Sequence, residues 1–63
     1  MIELTLPTMT CGHCVRTVTE TAQRVDPAAR VDIDLEQHLV RIESALPADA
    51  FRSALSEEGY APA

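Results

Sequence analysis

Ile2-Glu3-Leu4-Thr5-Leu6-Pro7-Thr8-Met9-Thr10-Cys11-Gly12-His13-Cys14 opens the chain, joining an alternating apolar segment to the only two cysteines of the sequence. Ile2, Leu4 and Leu6 fall on one side of an extended backbone, with Glu3 and Thr5 on the other. This period of two predicts a half-buried strand that Pro7 ends. Residues 8–11 read as a loop. From Gly12 to Val25 the apolar positions Val15, Val18, Ala22 and Val25 recur at three, four and three, which predicts an amphipathic helix. Its β-branched residues are poor helix formers in isolation, so packing has to hold it. Asp26-Pro27 ends it, because the residue before a proline is driven out of the α region. The cysteines therefore stand where a strand hands over to a helix. Two thiols three positions apart can close on one soft metal ion or on each other as a disulfide.

The remaining chain repeats the alternation. Val31, Ile33 and Leu35 alternate with Asp32, Asp34 and Glu36, predicting a second strand. Gln37-His38 is expected as a tight turn, and Val40 and Ile42 alternate with Leu39, Arg41 and Glu43 in a third strand. Arg41 is expected to face the carboxylates of the second strand, a gain of roughly 0.2–1 kcal/mol. Pro47 suits the first turn of a second helix, whose apolar stripe is Ala50, Phe51, Ala54 and Leu55. Gly59 suits its C-terminal cap. Tyr60-Ala61 is left for a short final edge strand. An antiparallel sheet with both helices on one face satisfies every apolar stripe. The expected fold class is α+β, a ferredoxin-like βαββαβ two-layer sandwich.

Sixty-three residues suit one domain, 1–63, with a small core, since such a chain buries only about 60% of its unfolded surface. No room remains for an enclosed substrate cavity, so a binding or carrier module is expected and an enzyme is not. Hydrophobic content of 46% with 24% charged residues marks a folded domain, not a disordered chain. Five basic against ten acidic residues give a net charge of −5, which argues against nucleic acid and suits a basic partner surface. No stretch has the length of a membrane span or the pattern of a secretory signal, so a cytoplasmic protein without direct membrane insertion is expected. The start just before the first strand, and the end just after the last, point to a free-standing protein.

Cys11 lies in the loop and Cys14 in the first helical turn, where unpaired amides and the positive dipole end favour anions. The thiol pKa should fall there, most for Cys14. Two soft thiolates with no obvious further ligand match Cu(I), which accepts low coordination numbers. Zinc would need His13, a carboxylate or water to complete its set.

Met9-Thr10-Cys11-Gly12-His13-Cys14 after a first strand, with these strands and helices behind it and Glu58-Gly59-Tyr60 near the end, closely resembles the heavy-metal-associated domain family. That family comprises small copper chaperones, the N-terminal metal-binding domains of copper-pumping P-type ATPases, and mercury-binding proteins. The resemblance is to the bacterial copper chaperone type, with the metal-binding domain of a copper ATPase or a mercury-binding carrier as the alternative readings. It implies that Cys11 and Cys14 ligate Cu(I), with Zn(II) or Hg(II) as in-vitro substitutes. It implies transfer through shared thiolates to a copper-transporting P-type ATPase or a copper-responsive regulator, and metal-bridged homodimers. Met9 falls on a buried methionine beneath the metal loop, and Tyr60 on an aromatic position near the site. Thr10 and Gly12 complete the loop. Thr10, where zinc-transporting relatives often carry Asp, favours copper. Thr8 departs from the glycine usual before the methionine, which implies a stiffer loop entry.

Cys11-Gly12-His13-Cys14 is also the active-site tetrapeptide of protein disulfide isomerases. A thiol–disulfide oxidoreductase of that fold needs more than 63 residues, and no tryptophan precedes the first cysteine. His13 is read as a solvated side chain tuning the site, with third ligand as its alternative role. His38 is read as a surface turn residue.

Overall fold

The computed structural model describes all 63 residues, in the order β1 (Ile2–Thr5), α1 (Gly12–Val25), β2 (Arg30–Asp34), β3 (Leu39–Glu43) and α2 (Ala48–Glu57). The sheet is antiparallel with order β1-β3-β2. Alternation fixes its register. Ile2, Ile42 and Val31 form one inward row, and Leu4, Val40 and Ile33 the next. A slip of one residue would turn every one of these side chains toward water. Cys14, Val18, Thr21 and Ala22 of α1 and Phe51 and Leu55 of α2 are buried. The apolar members of that set join Leu4, Val40 and Ile42 in one core cluster, so both helices cover the same face. The ferredoxin-like two-layer arrangement expected from the pattern is present.

Thr21 is buried although polar, because its hydroxyl donates to the Thr17 carbonyl at 2.8 Å. No buried side-chain nitrogen or oxygen lacks a partner. On the outer face Arg41 pairs in register with both Glu3 and Asp32, but its ion pair is with Glu3 of β1, at 3.5 Å. That departs from the expected pairing with the second strand. The pair is exposed, and such pairs are worth about 0–1 kcal/mol.

Three features at one end position the loop that carries the cysteines. The β2–β3 connection spans residues 35–38, since Asp34 pairs with Leu39. It is longer than the two-residue turn expected at Gln37-His38. Asp34 drives this by capping the turn, accepting from the Gln37 backbone N–H at 3.2 Å and its side-chain amide at 3.0 Å. His38 closes it in the left-handed region, φ 57°. Second, the Leu6 N–H donates to the His38 carbonyl at 2.8 Å, extending the β1–β3 contact past the end of β1. Third, the expected final strand is reduced to one backbone bond, from the Ala63 N–H to the Thr5 carbonyl at 2.8 Å. Pro62 has no N–H to donate, and the chain after Tyr60 is too short for a ladder.

Candidate metal centre

Leu6 and Met9 are both fully buried, and they anchor the loop between β1 and α1 from below. Burying such side chains is worth about 1.5–3 kcal/mol each, enough to hold a short loop without regular structure. The Met9 N–H donates to the Leu6 carbonyl at 3.0 Å, folding the loop back on itself. Cys11 is the N-cap of α1, in extended conformation and with no side-chain cap. Its thiol is exposed, whereas Cys14, one turn into the helix, is buried. The two sulfurs lie 3.1 Å apart as free thiols. A disulfide would bring them to about 2.05 Å. At 3.1 Å one thiol S–H is shared with the other sulfur.

The Cys14 thiol is lowered from its ordinary 9.0 to about 6. The largest cause is the Tyr60 hydroxyl, which donates to its sulfur; the Cys11 side chain follows, then the Thr10 backbone N–H, while burial opposes. The direction agrees with the sequence argument, but the leading cause differs. The sequence points to the helix start as a cause; the largest one is a tyrosine hydroxyl. Tyr60 is raised in turn, chiefly by the same hydrogen bond to Cys14, while Thr17 hydrogen-bonds it in the opposite sense.

Gly59 brings Tyr60 there. It takes φ 89°, a left-handed conformation that ends α2. The Gly59 N–H donates to the Ser56 carbonyl at 3.1 Å and the Tyr60 N–H to the Leu55 carbonyl at 2.9 Å. These two bonds form a Schellman motif, which turns the chain back over the helix end. Tyr60 consequently packs against the core and directs its hydroxyl at Cys14.

Thr8, in the place of a family glycine, sits in an ordinary turn and reaches the Gly59 carbonyl through its hydroxyl, at a long 3.5 Å. Thr10 is exposed, and only its backbone addresses the cysteines. Gly12 is helical, with open space where a Cβ would stand. His13 is exposed, and no group of three or more His, Cys, Asp or Glu side chains is arranged to hold a metal. His38 corrects the sequence reading. It is not a surface turn side chain: it is half-buried, and its ring Nδ1 lies 2.8 Å from the Met9 carbonyl oxygen. Its neighbour stands 29 positions away, and no local signal in the hairpin announces the contact.

The family model described as heavy-metal-associated domain matches residues 3–61, a span that includes the paired, part-buried sulfurs of Cys11 and Cys14. The chain belongs to the heavy-metal-associated domain family. No curated protein matches the sequence. Among solved structures, a trimeric Cu1 form of a mutant copper chaperone Atx1 from Synechocystis PCC6803 is 38% identical, each chain covered in full, with TM-score 0.96. A gold binding protein is 34% identical over 98% of this chain and 95% of its own, with TM-score 0.95. A third structure, described under crosstalk between Cu(I) and Zn(II) homeostasis, is 38% identical over both full chains, with TM-score 0.94. Within this heavy-metal-associated domain no helix is long and apolar enough to cross a membrane.

Proposed function

We propose that residues 1–63 form a single heavy-metal-associated domain acting as a cytoplasmic Cu(I) metallochaperone, a carrier and not an enzyme. Cys11 and Cys14 bind one ion, and transfer to a copper-transporting P-type ATPase or a copper-responsive regulator proceeds by thiolate exchange. The observation that carries this reading is the pair of free sulfurs 3.1 Å apart without a third His, Cys, Asp or Glu beside them. Two thiolates satisfy a soft monovalent ion, whereas zinc wants four ligands, or three and a water. With metal–sulfur bonds of about 2.3 Å, sulfurs 3.1 Å apart subtend only roughly 85° at the ion. Binding therefore opens the pair, and the exposed Cys11, on an uncapped helix start, is the side chain free to swing outward. The same exposure lets a partner thiolate approach. Cys14 supplies the anchored thiolate, charged at neutral pH because its thiol is lowered to about 6. His13 tunes the loop from solvent and is not a ligand, and metal-bridged homodimers form through the exposed Cys11.

Anaerobic titration with Cu(I) against a competing chelator is expected to saturate at one ion per monomer. Cys11→Ser and Cys14→Ser are each expected to abolish tight binding while leaving the fold, and His13→Ala to change affinity far less. Retained affinity in either cysteine variant, or zinc binding tighter than Cu(I), overturns the assignment.

A further inference from the structure

His38 makes two contacts with the segment that leads into the cysteine loop. Its backbone carbonyl accepts from the Leu6 N–H at 2.8 Å, and its ring Nδ1 lies 2.8 Å from the Met9 carbonyl oxygen. A carbonyl oxygen only accepts, so Nδ1 carries the proton and donates. The Met9 carbonyl belongs to the same peptide unit as the Thr10 N–H. Across a trans peptide the two groups point in opposite directions from one plane. His38 holds the carbonyl side of that plane, in the residue pair that leads directly into Cys11.

We propose that His38 is a positioning residue for the cysteine pair: by holding the Met9 carbonyl it fixes the Met9–Thr10 peptide plane from which the chain enters Cys11. The ring acts through this backbone unit and touches neither sulfur. A hydrogen bond to the carbonyl also polarises the peptide and strengthens the donor on its other side. The backbone at His38 gains nothing from a histidine as such. Its φ of 57° is a conformation that glycine and asparagine adopt more readily than other residues. What histidine supplies is the ring donor, at a position from which it reaches across the sheet end to residue 9.

This inference rests on the reading of Cys11 and Cys14 as the Cu(I) ligands, and two variants of the full chain test it. His38→Gly removes the donor while relieving the left-handed backbone. His38→Asn keeps a donor at the same reach from Cβ, since Nδ2 of asparagine occupies the place of the ring Nδ1, and it also tolerates the conformation. Expected for His38→Gly is a roughly tenfold weaker Cu(I) affinity, the scale on which supports of metal ligands act, with thermal stability equal to or above the parent. His38→Asn is expected to bind as the parent does. A purely structural role makes the opposite pattern, in which affinity in His38→Gly stays within about twofold of the parent, and that result overturns the proposal. So does an asparagine variant as weak as the glycine one. A second readout uses the reduced, metal-free protein. The Thr10 amide resonance and its hydrogen-exchange rate are expected to change in His38→Gly and to return in His38→Asn, while Val40 in the core is unmoved. An unchanged Thr10 amide overturns the proposal whatever the copper result. Parent protein that fails to bind Cu(I) refutes the ligand assignment alone.

Discussion

Replacing Tyr60 by Phe removes one oxygen from the site and leaves the ring that packs against the core. The Tyr60 hydroxyl is the largest of the contacts that lower the Cys14 thiol from 9.0 to about 6. At pH 7 a thiol with that value is roughly nine-tenths thiolate, against about one hundredth for an unperturbed one. The Cys11 side chain and the Thr10 and Cys11 backbone groups still act in the variant. The midpoint of Cys14 in Tyr60→Phe is therefore expected to rise by about one pH unit, which drops its thiolate at pH 7 to about half. The assay is the Cβ chemical shift of Cys14 followed through a pH titration of reduced protein without oxygen, which reads this thiol separately from Cys11. Alkylation of Cys14 at pH 7 is a kinetic check and is expected to slow in proportion to the lost thiolate. A midpoint that does not move refutes the argument. It would return the lowering to the helix start and the neighbouring sulfur.

Stability should follow the same group. The unfolded chain holds the Cys14 proton up to about pH 9 and the folded chain releases it near 6, so the unfolded state binds more protons between them. Unfolding free energy of the reduced, metal-free protein is expected to rise from pH 6 to 9, and to lose this contribution as pH falls through 6. Tyr60 is raised, so above pH 10 the folded state holds the extra proton and its contribution declines with pH. Chemical denaturation at several pH values checks both signs, and a flat profile between pH 6 and 9 would falsify the first. Gly59→Ala forces an L side chain to φ 89° with no steric contact near its Cβ, so the cost is backbone strain alone. It is expected to be roughly 1–2 kcal/mol, lowering Tm by several degrees; an unchanged Tm would show that the Schellman turn rearranges at little cost.

Much of this architecture was legible in the linear pattern. The alternation of Ile2, Leu4 and Leu6 and the three-four-three spacing of Val15, Val18, Ala22 and Val25 each carry a period that one secondary structure alone satisfies. α1 begins and ends where that spacing placed it. Asp26-Pro27 and Gly59 mark helix ends through local backbone sterics, which the residue and its neighbour decide. The expected final strand was less legible, because Pro62 limits the ladder only once the tail lies beside Thr5.

The sequence by itself determined the elements, their inward faces and the pair of soft donors at the junction of a strand and a helix. Those follow from interactions over a few residues, whose geometry the chain carries with it. Tertiary structure alone decided what surrounds the donors. It set the hydroxyl of Tyr60 against Cys14, 46 positions away, and the ring of His38 against the Met9 carbonyl, 29 positions away. The His38 contact follows from the β1–β3 pairing and the Tyr60 contact from the turn at Gly59, which bring distant segments to the cysteine loop. A hydrogen bond needs its donor within about 3 Å of its acceptor, and only the folded chain brings the His38 ring to 2.8 Å from the Met9 carbonyl.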